Sequence, residues 1–106
     1  MKMNQIDTEY NLLKILKDNP EMTQRQLSKE LGLSLGKTNY VLHALMDKGL
    51  MKLSNFTTSN KKLGYLYLIT PKGIEEKSIL AKNFLERKSA LYSKLKEEIE
   101  TLKNEL

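Results

Sequence analysis

Residues 23–50 read TQRQLSKELGLSLGKTNYVLHALMDKGL, and this stretch decides the fold. Thr23 and Gln26 have the spacing of a capping box: the Thr23 hydroxyl accepts from the Gln26 amide, and the Gln26 side chain reaches back to Thr23. A short helix is predicted to follow, burying Leu27 and Leu31. Gly32 stands where a helix end favours a left-handed residue. Only Leu33 separates it from Ser34, a second N-cap candidate. The next helix is predicted from Leu35 to about Lys48, with Thr38, Val41, Leu42 and Leu45 facing inward and Gly49 ending it. Two helices joined by a tight glycine turn form a helix-turn-helix, and the second is the one that can enter a DNA major groove.

The flanking segments extend the pattern. Upstream, a first helix is predicted from an Asp7 N-cap with Glu9 in its first turn, burying a set drawn from Tyr10, Leu12, Leu13, Ile15 and Leu16. It stops at Asp18-Asn19-Pro20, because Pro20 restricts Asn19 to extended conformations. Downstream, Leu50 to Asn55 reads as a strand, Phe56 to Lys62 as a polar tip and Leu63 to Thr70 as a second strand. Leu66 and Leu68 share one face; Tyr65, Tyr67 and Ile69 share the other, with the two tyrosines expected to pack against the last helix. Three helices followed by a hairpin with a basic tip is the winged-helix order. The fold class is therefore mainly α (α+β): a winged helix-turn-helix over residues 1–70, with a two-stranded wing, then a long C-terminal helix over 71–106.

That last helix has its own message. Thr70 caps it, Pro71 takes the first helical position, and Glu75 and Glu76 suit the positive end of its dipole. Gly73 enters as a small propensity cost. Ile74, Ser78, Ala81, Leu85, Lys88, Tyr92, Leu95, Ile99, Leu102 and Leu106 step alternately by four and three, a heptad seam interrupted by Lys88. About 35 helical residues extend roughly 50 Å. A body made from the first seventy residues is only about 30 Å across. The overshoot predicts a two-fold dimer through Leu85, Tyr92, Leu95, Ile99, Leu102 and Leu106, with a frayed tail as the alternative.

Composition narrows the chemistry. The chain has 106 residues, one domain by length, with 18 Lys plus Arg against 13 Asp plus Glu. Residues 23–72 carry net +6, while 1–22 carry −1 and 73–106 balance to zero. A concentrated basic segment is the footprint of a nucleic-acid binder, or else a solvated lysine-rich surface. Cysteine is absent and His43 is the only histidine, which excludes disulfides, zinc sites with Cys ligands and a thiol nucleophile. Glu97, Glu98 and Glu100 read as a solvated charge run, not a catalytic pair, so neither an enzyme nor a cofactor is expected. The longest apolar run, Tyr65 to Ile69, is far too short for a membrane span, and no apolar segment follows Met1-Lys2-Met3-Asn4. The expectation is a soluble, cytoplasmic protein with no membrane partner.

On this reading the outward face of the third helix carries Leu35, Gly36, Asn39, Tyr40 and His43, with Lys37 on its flank. Asn39 pairs a donor with an acceptor, as adenine requires; Lys37 suits phosphate or guanine. Gly36 permits close approach to the DNA backbone. Tyr40 offers a ring edge and a hydroxyl to DNA, or alternatively packs on the wing; His43 reads as a surface residue rather than a pH switch. Thr23, Gln24 and Arg25 at the second helix's start, together with Ser34, are placed for phosphates. Asn60, Lys61 and Lys62 in the wing are placed for the minor groove or its phosphates, or form a solvated tip.

Several segments carry a family resemblance. Leu33-Ser34-Leu35-Gly36-Lys37-Thr38-Asn39-Tyr40, then Lys48-Gly49-Leu50, then Tyr65 through Thr70-Pro71-Lys72-Gly73 to Lys77 resemble the small MarR-family transcriptional regulators associated with exopolysaccharide gene clusters. The resemblance spans about residues 8–106 and implies a DNA-binding regulator acting near such genes; with the seam of the last helix, the expected function is a homodimeric regulator of double-stranded DNA. The chain lacks the further helices that surround a ligand pocket in typical MarR proteins, so no small-molecule effector is expected. The competing reading is a winged-helix protein-interaction module whose last helix pairs with another protein. An RNA binder is disfavoured by the few stacking aromatics.

Overall fold

The computed structural model describes residues 4–57 and 63–106. Its elements run α1 (Gln5–Asp18), α2 (Gln24–Leu31), α3 (Leu35–Asp47), β1 (Met51–Thr57), β2 (Leu63–Ile69) and α4 (Pro71–Glu105). The two strands form one antiparallel hairpin, with Met51 opposite Ile69 and Asn55 opposite Tyr65. This is a winged helix with a long C-terminal helix, the architecture read from residues 23–50 outward.

Capping chemistry sets most of the boundaries. The Thr23 hydroxyl accepts from Gln26 N–H at 3.1 Å, and Gln26 Oε1 accepts from Thr23 N–H at 2.9 Å, so both halves of the capping box form. Ser34 accepts from Lys37 N–H at 3.1 Å. Gly32 and Gly49 have φ of 65° and 72°, the left-handed conformation that ends a helix at little cost only for glycine. The α1 start differs from the Asp7 expectation. Asn4 is the N-cap and its Oδ1 accepts from Asp7 N–H at 2.8 Å, so the helix begins earlier. Asp7 instead forms a two-pronged ion pair with Arg87 of α4, which pushes the arginine up from its ordinary pKa.

The core joins α1, α2, α3 and the base of the hairpin. Leu12, Leu13, Leu27, Val41, Leu42 and Leu45 have no exposed surface, and Leu16, Leu50 and Met51 complete the cluster. Thr38 is inward as expected and fully buried, and it stays satisfied because its hydroxyl donates to Ser34 O at 2.9 Å. Glu9 has a role beyond the helix dipole. It is 4% exposed and takes Lys48 Nζ at 2.7 Å, pinning the end of α3 to α1.

The hairpin differs from expectation in two respects. Leu50 belongs to the α3 exit, its N–H donating to Leu45 O, so β1 starts at Met51. The strand runs on to Thr57, because the backbones of Phe56 and Thr57 pair with Gly64 and Leu63. The tyrosine pair also divides. Tyr65 is exposed. Tyr67 is buried and faces α2 and the turn before it: its N–H donates to Pro20 O at 3.0 Å, and its hydroxyl accepts from Gln24 Nε2.

The start of α4 is bolted to the end of α3. Thr70 hydroxyl donates to Gly49 O at 2.7 Å, Thr70 N–H donates to Leu50 O, and Lys72 Nζ donates to Lys48 O. Gly73 sits against this junction, where a Cβ would fall 2.0 Å from Leu50 O. The glycine is thus a steric requirement of the fold, not the small propensity cost its helical position suggests. Further along, Leu80 is buried and Phe84 packs on Tyr10 with ring centroids 5.4 Å apart. From Leu85 to Leu106 every residue is exposed. The molecule measures 66 × 26 × 23 Å because α4 outruns the body it starts on.

Candidate nucleic-acid interface

Burial of Thr38, Val41, Leu42 and Leu45 fixes the rotation of α3, and the opposite face follows. Leu35, Gly36, Lys37, Tyr40 and His43 are all exposed there, and Asn39 is half-buried. Tyr40 is 59% exposed with Lys37 Nζ 5.4 Å above its ring, so it stands out from the described body and carries a cation on its face. A Cβ added at Gly36 would meet nothing within 4 Å. Among the described residues nothing demands glycine at that position.

The start of α2 lies beside this face. Arg25 is exposed. The hydroxyls of Thr23 and Ser34 accept the cap bonds already described, so each meets a further partner only alongside its capping role. Gln24 is placed differently from the expectation of a phosphate contact. Its Nε2 donates to the Tyr67 hydroxyl at 3.2 Å and its Oε1 accepts from Asn39 Nδ2 at 3.3 Å. The three side chains form a relay from the wing strand to α3. No sequence signal announces it, since its members lie 15 and 43 residues apart. Asn60, Lys61 and Lys62 fall outside the described residues.

The seam of α4 is open. Leu85, Tyr92, Leu95, Ile99 and Leu102 are between 45% and 67% exposed, and Leu106 is fully so. Among the described residues no group of three or more His, Asp or Glu stands ready to hold a metal ion, and no helix is long and apolar enough to cross a membrane.

Residues 7–51 match the family described as winged helix-turn-helix DNA-binding. The chain carries a winged helix-turn-helix domain. Solved structures share its fold at low identity. A PadR-like transcriptional regulator from Bacillus cereus is 20% identical with a TM-score of 0.72, covering 82% of this chain and 89% of that one. MepR of Staphylococcus aureus is 22% identical with a TM-score of 0.63, covering 99% and 75%. ZitR of Lactococcus lactis, solved in complex with DNA, is 20% identical with a TM-score of 0.61, covering 89% and 60%. The winged-helix chain therefore spans about three fifths of the length of ZitR. No protein of curated function matches it in sequence. The matching family is described as DNA-binding, and the solved neighbours share the winged-helix fold.

Proposed function

We propose that the protein is a sequence-specific, double-stranded DNA-binding transcriptional regulator of MarR type that works as a homodimer. The observation that carries this reading is the exposed first half of α3. Gly36, Lys37 and Tyr40 stand out from a helix whose other face is completely buried, next to the exposed Arg25 at the start of α2. A helix so mounted enters the major groove with its N-terminal residues on base edges. Asn39 reads adenine, Lys37 and Arg25 take phosphates, and Tyr40 and His43 extend the contact along the groove. In the wing, Asn60, Lys61 and Lys62 add phosphate or minor-groove contacts.

The exposed α4 seam supplies the dimer. Residues 88–105 run about 27 Å beyond the Arg87–Asp7 pair at 1.5 Å per residue. Leucine and isoleucine recur along this overhang at heptad spacing, and a second copy covers them. Two α3 helices set about 34 Å apart then read a pseudo-palindrome. The resemblance of the Ser34-to-Lys37 entry to α3 and of the long last helix to exopolysaccharide-associated regulators supports a role near surface-polysaccharide genes.

The test is a titration of binding to duplexes selected from a randomised pool, repeated across salt concentrations. Affinity falling steeply with salt, together with preference for the selected sequence, is expected. Salt-independent binding or equal binding to all duplexes contradicts the reading. Asn39→Ala is expected to lower sequence preference by about 1–3 kcal/mol. Lys61→Ala is expected to weaken all duplexes alike.

A further inference from the structure

We infer that Tyr67 and Gln24 are positioning residues that hold the Asn39 amide in a fixed place from which it meets a base; this rests on the reading that α3 enters the groove. A side-chain amide presents an acceptor on one side and a donor on the other. An unsupported asparagine samples several rotamers and loses that freedom when it meets a base. Asn39 is supported. Its Nδ2 donates to Gln24 Oε1 at 3.3 Å, and Gln24 Nε2 donates to the Tyr67 hydroxyl at 3.2 Å. Tyr67 is itself anchored: it is 8% exposed, lies in the core, and its backbone N–H donates to Pro20 O at 3.0 Å.

An amide nitrogen has two N–H groups. The relay takes one of Asn39's, leaving Oδ1 and the second N–H, the pair that accepts from and donates to an adenine edge. The core therefore orients a surface amide before DNA arrives, and discrimination at that base pair depends on strand β2, whose Tyr67 never touches a base. Gln24, at the first position of α2, has its amide turned into the protein and acts through Asn39.

The experiment uses the full chain. A duplex selected from a randomised pool by the wild-type protein and a shuffled duplex of the same composition are the two probes. Failure of the wild type to distinguish them overturns the DNA reading before any variant is made, and the relay falls with it. Given that distinction, Tyr67→Phe and Gln24→Ala are each expected to reduce the affinity ratio about three- to tenfold, the range set by one neutral hydrogen bond. Binding of the shuffled duplex by Tyr67→Phe, and its salt slope, stay unchanged. In an Asn39→Ala background Tyr67→Phe reduces the ratio no further. Gln24→Glu keeps an acceptor for both neighbours, so it preserves the ratio while weakening both duplexes through its charge. An undiminished ratio in Tyr67→Phe, an equal loss on both duplexes, or a loss that adds to that of Asn39→Ala overturns the proposal.

Discussion

The two halves of this molecule treat leucine in opposite ways. In the body, Leu12, Leu13, Leu27, Leu42 and Leu45 have no exposed surface, and their helices end on side-chain or glycine caps. On α4 beyond Arg87, Leu95, Leu102 and Leu106 are exposed, as are all their neighbours. The residue type and the helical spacing are the same; the difference is whether this chain supplies a facing surface. The body closes its core with its own elements. The overhang displays an apolar seam that the proposed second copy would close, since burial contributes about 25 cal/mol per Å² and none of it is realised by a single chain.

That contrast can be broken at its strong end first. Leu42→Ala removes a side chain with no room to relax, so a loss of about 2–5 kcal/mol in denaturant unfolding is expected. Leu102→Ala, the same change on the overhang, is expected to cost little in the isolated chain and to act through self-association instead. Equal losses at both sites, independent of protein concentration, would erase the distinction.

Gly73→Ala tests the junction between the halves. Its Cβ must displace the Leu50 carbonyl, and a loss of about 1–3 kcal/mol is expected by thermal melting, against the small gain that alanine usually brings to a helix. Thr23→Ala removes one arm of the capping box and is expected to cost about 0.5–2 kcal/mol in the same measurement. The smallest effect is the most diagnostic. Gly36→Ala meets nothing in the fold, so it is expected to stabilise the chain by up to about 1 kcal/mol while weakening its hold on duplex DNA. A variant that binds DNA as well as the wild type would show that Gly36 does not face the duplex closely.

The legibility of the sequence follows the same division between local and distant causes. The capping box, the Ser34 cap, the two left-handed glycines and the inward set of α3 were readable because each depends on residues within one or two turns. The choice between Asn4 and Asp7 as the α1 cap was not. Both residue types cap helices, and Asp7 is instead paired with Arg87, 80 residues away. Gly73 looked like a mild helix defect because the Leu50 carbonyl that forbids a side chain comes from another element. Glu9 looked like a dipole residue until Lys48 arrived beside it. The same limit applies at the candidate interface. Exposure of Lys37, Tyr40 and His43 followed from periodicity, whereas the inward turn of Gln24 depends on Tyr67 from the wing.

The self-pairing of α4 is tested most directly by the mass of the protein in solution, measured by sedimentation equilibrium across micromolar concentrations. Twice the chain mass of 12.3 kDa is expected for the wild type, falling to a single chain when Leu95 and Leu102 are both changed to glutamate. A wild-type protein that stays at 12.3 kDa throughout contradicts the pairing and leaves the seam for a different protein.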